Sequence, residues 1–221
     1  MRSADNLLLV EGESDRSFFE AVCADLGLHA AVRVAPPRDV GGRSNTKQGV
    51  INHLPLLAHQ LADGSLKRLA AVLDADYVST SGLGFAGTSQ QIEIKLQTSG
   101  FTLARRAPRD HGLAFTHPDG LADIGVWIMP NNRDEGSLED FLHRCVAANE
   151  QPLFTHAQTV VNELPAPKFA ATQRGKAELA TWLAWQSHPG RGPQHALRDG
   201  LFTTTTPPFK DLQDWLRRIF S

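Results

Sequence analysis

With 221 residues, 41% of them hydrophobic, the chain has enough apolar material to pack one substantial domain with a C-terminal elaboration, or two small ones. Its formal net charge of -2 excludes an overall basic footprint, so any nucleic-acid contact would rest on local patches or on a partner. Two cysteines without CxxC spacing exclude a disulfide framework, and the lack of a basic-then-apolar leader or of an apolar run of about 18 residues points to a cytoplasmic protein with no membrane association.

The chain opens on Leu7-Leu8-Leu9-Val10, a continuous apolar run of the kind found in a strand covered on both faces of a parallel sheet. Ser14 is placed to cap a helix from Asp15 to about Leu26, in which Phe18, Val22 and Leu26 recur at i, i+4 and i+8 on one face. Ala30 to Val34 is a short second strand. Residues 36–48 form a loop rich in turn residues, and Val50 to Leu61 has helical periodicity. Leu69-Ala70-Ala71-Val72-Leu73 is a second buried strand that runs out at Asp74. A small-residue loop over Val78 to Gly87 precedes an amphipathic helix from Ser89 to Thr98, ended by Gly100. Phe101 to Ala104 and Leu113 to Thr116 read as short edge strands around a turn at Pro108 to Gly112, and Ile124 to Met129 as the last buried strand.

Beyond Gly136 the pattern is mostly helical. Ser137 is an N-cap for a helix whose face carries Leu138, Phe141, Leu142 and Cys145. Phe154 to Glu163 is a further helix closed off by Pro165 and Pro167, and Lys176 to Gln186 another, with Leu179, Trp182 and Leu183 inward. After a break at His188 to Gly192, Leu212, Trp215, Leu216 and Ile219 mark a terminal amphipathic helix. Alternating strands and helices predict an α/β fold with a mostly parallel sheet flanked by helices over residues 1–150. Residues 151–221 form a helical C-terminal extension packed on it.

The chemistry concentrates where the two buried strands end. Val10-Glu11-Gly12-Glu13-Ser14-Asp15 sets Glu11 and Asp15 at a strand-to-helix junction, and Gly12 lets the backbone turn or a phosphate approach there. Leu73-Asp74-Ala75-Asp76 sets two more acids at the second strand's end. They share a direction if the strand continues and straddle the loop mouth if it stops. The carboxyl edge of an open α/β sheet is where ligands bind. Acids crowded there repel one another unless a cation sits among them or one is protonated, so the pattern calls for a hard divalent cation, Mg²⁺, with Mn²⁺ as a substitute.

Val10-Glu11-Gly12 with Asp15, followed about sixty residues on by a strand ending in Asp74-Ala75-Asp76, resembles the Toprim domain of topoisomerases, primases and the overcoming-lysogenization-defect nucleases. Val126-Trp127-Ile128-Met129-Pro130-Asn131-Asn132 and Gly136-Ser137-Leu138-Glu139-Asp140-Phe141 resemble a small stand-alone bacterial branch of that superfamily. The resemblance covers residues 6 to about 150, and Lys176 to Trp185 more loosely. It implies a Toprim-like fold, with Glu11 as general acid or base and Asp74 and Asp76 holding the metal. Asp15, with Glu139 or Asp140, would complete a second metal position, and Lys176 would neutralise a scissile phosphate. The implied activity is metal-dependent hydrolysis of phosphodiesters in nucleic acid, DNA ahead of RNA, gated by a partner ATPase in phage defence, with a homodimer as an open option.

Simpler readings compete. Asp15 at a helix N-terminus could serve only the macrodipole, Asp140 only a capping box with Ser137, and Glu139 and Lys176 could be solvated. Asp74-Ala75-Asp76 alone also occurs in phosphoacceptor and dehalogenase sites. The loop Gly41-Gly42-Arg43-Ser44-Asn45-Thr46-Lys47 suits a phosphate, making Arg43 and Lys47 candidate substrate contacts, yet it lacks the Gly-Lys-Ser/Thr ending of a P-loop. Nine histidines show no HExxH, which speaks against zinc, and no GxSxG or Cys-His signature supports acyl transfer. Arg105, Arg106, Arg109, Arg191 and Arg198 are candidate basic patches. The rival functions are a catalytically silent Toprim binding or regulatory module and a nucleotidyl transferase or primase-like enzyme.

Overall fold

The computed structural model describes residues 5–36, 47–104 and 111–221. Strands β1 (Asn6–Val10), β2 (Ala31–Val34), β3 (Arg68–Asp74), β4 (Thr102–Leu103), β5 (Leu113–Thr116) and β6 (Ile124–Met129) form a six-stranded sheet in the order β2-β1-β3-β6-β5-β4. The first four strands in that order are parallel, while β5 and then β4 add on antiparallel. The α/β class and mostly parallel sheet expected from the alternating pattern are what the chain forms.

Alternation along the central strands separates two cores. Leu8, Val10, Ala70, Val72, Trp127 and Met129 face one side, which is covered by α1 (Glu13–Asp25), α4 (Leu138–His143), α5 (Gln151–Asn162), α6 (Arg174–Ala184), α7 (Pro193–Arg198) and α8 (Pro207–Phe220). Leu7, Leu9, Leu69, Ala71, Leu73, Ile124, Val126 and Ile128 face the other, covered by α2 (Lys47–Ala62) and α3 (Gly84–Gln97). Both faces of β1, β3 and β6 are thus dry, which is why these strands read as unbroken apolar runs. Each large side chain buried here contributes roughly 1.5 to 3 kcal/mol. Helix α8 lies close on the sheet: Trp215 meets Trp127 with ring centroids 5.5 Å apart, and a Cβ on Gly125 would come within 2.6 Å of Ile219 Cδ1.

Several boundaries differ from the sequence expectation for local reasons. Helix α1 starts at Glu13 with Gly12 as its N-cap, because Asp15 reaches back to the Gly12 N–H; Ser14 lies inside the first turn. Helix α3 begins at Gly84, inside the stretch read as loop, and a 3₁₀ turn at Val78–Thr80 occupies its start. Helix α7, a short helix opened by Pro193, had no apolar repeat long enough to announce it. The expected turn at 108–112 lies mostly outside the described residues. No helix among the described residues is long and apolar enough to cross a membrane.

The connections place the site. The β1-α1-β2 unit turns to one side of β1, and α2 then carries the chain back across the opposite face to β3 on β1's other side. Between the carboxyl ends of β1 and β3 the sheet therefore has its topological switch point, where α/β sheets open a crevice.

Candidate functional site

Strands β1 and β3 pair as far as Leu9↔Ala71, whereas β3 and β6 stay paired to Asp74↔Met129. Ala75 N–H turns towards β6 and donates to Met129 O at 3.1 Å, so the Asp74 N–H points to the β1 side, where the backbone ladder has ended. The Glu11 carboxylate fills that position, with Oε1 accepting from Asp74 N–H at 2.8 Å. Asp74 Oδ1 in turn accepts from Leu138 N–H, the first residue of α4, at 3.0 Å. One run of hydrogen bonds therefore joins the ends of β1 and β3 to the start of α4.

Strand β3 stops at Asp74, so Asp76 does not share its direction. Asp76 adopts a left-handed conformation with φ of 60° and bridges to Gly136, its N–H donating to Gly136 O at 2.9 Å. The loop then folds back on itself so tightly that a Cβ on Gly82 would lie 2.6 Å from Asp76 Cβ. Asp76 Oδ2 meets Lys47 Nζ at 2.5 Å. The same ammonium donates to Ala75 O at 2.9 Å and to Thr88 Oγ1 at 3.4 Å.

The helix-borne acids are held by their own helices. Asp15 Oδ2 accepts from Gly12 N–H at 3.0 Å, and a Cβ at position 12 would press on that oxygen at 3.2 Å. Gly12 itself is extended, with φ of -143°, so the close approach rather than the dihedral favours glycine there. Asp140 Oδ2 accepts from Ser137 N–H at 2.8 Å and Oδ1 from Tyr77 O–H at 2.7 Å, which engages both of its oxygens with protein donors. Glu139 Oε2 accepts from Ser137 O–H at 2.9 Å, and its Oε1 faces Lys176 Nζ at 3.9 Å.

Burial and mutual repulsion act together on this cluster. Loss of water raises the Glu11 carboxyl to about 7, against the pull of the Asp74 N–H, and the Asp15 charge adds to the rise. Burial first, and Glu139 second, raise Asp15 to about 6. Asp74 is held well above the usual carboxylate range by burial and then by Glu11, Asp15, Glu139 and Asp76. Lys176 is raised, chiefly by Glu139, with Asp74, Asp15 and Glu11 contributing. The structure therefore brings Glu11, Asp15, Asp74, Asp76 and Glu139 into one electrostatic neighbourhood, with Asp140 on its border through Tyr77 and Ser137.

An open cleft of about 670 Å³ lies over Asp74, Asp76, Glu139 and Asp140, walled on the far side by residues 171–176, including Arg174 and Lys176. Lys176 is exposed, at 63% of its side-chain surface, and leans towards the acids from the start of α6. Lys47 sits on Asp76, Gly12 caps α1 beside Glu11, and Arg43, like Arg105, Arg106 and Arg109, lies outside the described residues. Among the described residues no three His, Cys, Asp or Glu side chains form a ready-made metal-binding group. Hard carboxylate oxygens still suit a cation that takes one or two of them and completes its shell with water, as Mg²⁺ does.

Some members of the site carried little sequence signal. Tyr77 follows the Asp74-Ala75-Asp76 motif but matters through its bond to Asp140. His143 lines the cleft, its Nε2 3.2 Å from Gly175 O and its Nδ1 3.9 Å from the buried Glu178, so that it ties α4 to the start of α6. Its position one turn after Glu139 on the same short helix is the clue available in the sequence.

A family model described as a protein of unknown function, DUF3226, matches residues 5–221. Neither the curated proteins nor the solved structures returned a match.

Proposed function

The chain belongs to the DUF3226 family of proteins of unknown function, and we propose that it is a Mg²⁺-dependent phosphodiesterase of nucleic acid, acting through a Toprim-type carboxylate site. The observation that carries this reading is that Glu11, Asp15 and Asp74 lie buried together at the switch point of the sheet, each raised first by burial and then by neighbouring acids, Asp15 on Glu11, Glu139 on Asp15 and Glu11 on Asp74. Repulsion of this kind is relieved by a proton or a cation, and buried acids crowded at the ligand-binding edge of the sheet point to function.

Asp74 and Glu11 would hold Mg²⁺ or Mn²⁺, with Asp76 at the edge of that position against Lys47, and the ion when bound would polarise a phosphoryl oxygen and stabilise charge that builds on it. With no cation bound, the Glu11 carboxyl lies at about 7, and its position beside Asp74 makes it the group placed to act as general acid or base. Lys176 and Arg174, on the opposite wall of the cleft, supply positive charge for a phosphate lying between them and the acids. The openness of the cleft and the net charge of -2 leave substrate capture to a partner, for which we assign an ATPase, with DNA as the substrate ahead of RNA and phage defence in the cytoplasm as the setting.

The second reading, a catalytically silent Toprim module, draws on one observation: Lys47 already neutralises Asp76. Incubating the protein with supercoiled plasmid and with mixed RNA, in Mg²⁺, Mn²⁺ or EDTA and beside Asp74→Ala, separates the two. Metal-dependent cutting that disappears in the variant supports the enzyme. Metal binding without cutting of either substrate, with or without a co-purifying ATPase, supports the silent module.

A further inference from the structure

Lys47 is the one feature of the site that a carboxylate cluster awaiting two cations would not need. Its ammonium has three hydrogens and three acceptors: Asp76 Oδ2 at 2.5 Å, Ala75 O at 2.9 Å and Thr88 Oγ1 at 3.4 Å. Ala75 and Thr88 are fully buried, and the Lys47 side chain is only 11% exposed, so the charge is fixed in place rather than swept through solvent. Asp76, by contrast, is 49% exposed, so this buried cation neutralises a carboxylate that reaches solvent. The field of Lys47 also reaches Glu11, where it favours the charged form.

Resting on the carboxylate site proposed above, we infer that Lys47 serves as a built-in second cation, so that the site takes one divalent ion per chain, centred on Glu11 and Asp74, and not two. A second divalent ion on Asp76 would have to sit beside an ammonium that cannot swing away, because its carbonyl and hydroxyl acceptors lie in the buried wall formed by β3 and α3. Like charges that close in a partly desolvated site repel strongly. Lys47 would thus set metal stoichiometry by occupying Asp76, and would hold the loop that follows β3 in register at the same time.

Binding of Mn²⁺ to the full-length, metal-stripped chain tests this without any assay of activity, with calorimetry giving stoichiometry and loss of the free-ion electron paramagnetic resonance signal giving bound ion. The wild type is expected to bind one Mn²⁺, Lys47→Met a second one, and Lys47→Arg, which keeps the charge, one again. Two ions bound to the wild type, or unchanged stoichiometry and affinity in folded Lys47→Met, would overturn the assignment while leaving the proposed enzyme standing. No ion bound to the wild type or to Lys47→Met would remove both. If Lys47→Met does not fold, as judged by circular dichroism, the wild-type stoichiometry decides alone.

Discussion

The acids at the strand ends and the acids at the helix ends of this site are held by opposite means. Glu11 and Asp74 accept backbone N–H groups from elements distant in sequence, Asp74 on β3 and Leu138 on α4. Asp15 and Asp140 accept N–H groups three residues before themselves, at the N-termini of their own helices. The second arrangement is ordinary capping, which stabilises a helix wherever it occurs. In the first, the donors come from β3 and from the start of α4, and the two carboxyls lie buried beside each other, where loss of water raises both although the Asp74 N–H pulls Glu11 the other way. The strand-end pair is therefore where function is expected to reside, with Asp15 adding its charge from the start of α1, and Asp140 is where stability is.

The largest effect expected from that contrast is at Asp74. Asp74→Asn keeps an acceptor for Leu138 N–H and removes the charge, so cleavage should fall by roughly a thousandfold or more while the unfolding midpoint stays near wild type. A variant that cuts normally would erase the distinction. Glu11→Gln likewise keeps an acceptor for the Asp74 N–H. It should abolish proton transfer, lowering turnover by about 10² to 10⁴, and in EDTA at pH 8 it should be at least as stable as wild type, because one repelling charge is gone; urea denaturation reads this directly.

The pH dependence of stability sharpens the same point. Glu11 and Asp15 have folded values of about 7 and 6, above their ordinary 4.5 and 3.8, so the folded chain binds more protons than the unfolded one across that window. Stability in EDTA should then be greatest below about pH 3.8 as far as these groups are concerned, and should fall as pH rises to 7, by on the order of 6 kcal/mol. Mg²⁺ should recover most of the loss at pH 8 and little at pH 5, as followed by thermal melting. Recovery equal at both pH values would detach the cation from these carboxyls.

Smaller still is the effect expected on the helix side. Asp140→Ala deprives Ser137 N–H and Tyr77 O–H of their acceptor and should cost about 1 to 2 kcal/mol of stability in urea. With its fold intact at low denaturant, the variant should retain most of the metal affinity of wild type. Loss of Mn²⁺ binding without loss of stability would move Asp140 from the helix-capping group to the strand-end group.

The frame of this molecule was legible in its sequence because it is written locally. Unbroken apolar runs ending in Glu11 and Asp74 imply strands with two dry faces, and the stripe of Leu212, Trp215, Leu216 and Ile219 implies α8. Boundaries shifted where a single side chain decided them, as when Asp15 moved the start of α1 to Glu13. Helix α7 is too short for a periodic signal. What could not be read were the pairings made by tertiary packing. Lys47 stood in a glycine-rich, cationic stretch that suited a phosphate, yet the crossing of α2 over β3 sets it on Asp76. His143 and Glu178 meet only because α4 and α6 pack together.

The central claim, that the strand-end carboxyls perform metal-dependent phosphodiester chemistry, is tested most directly with a small activated diester, bis(p-nitrophenyl) phosphate, which requires neither nucleic-acid capture nor a partner. The expected result is p-nitrophenolate release by the wild type in Mn²⁺, abolished by EDTA and by Asp74→Asn. Release that is equal in wild type and Asp74→Asn, or no release from a wild type shown to bind Mn²⁺, would contradict it.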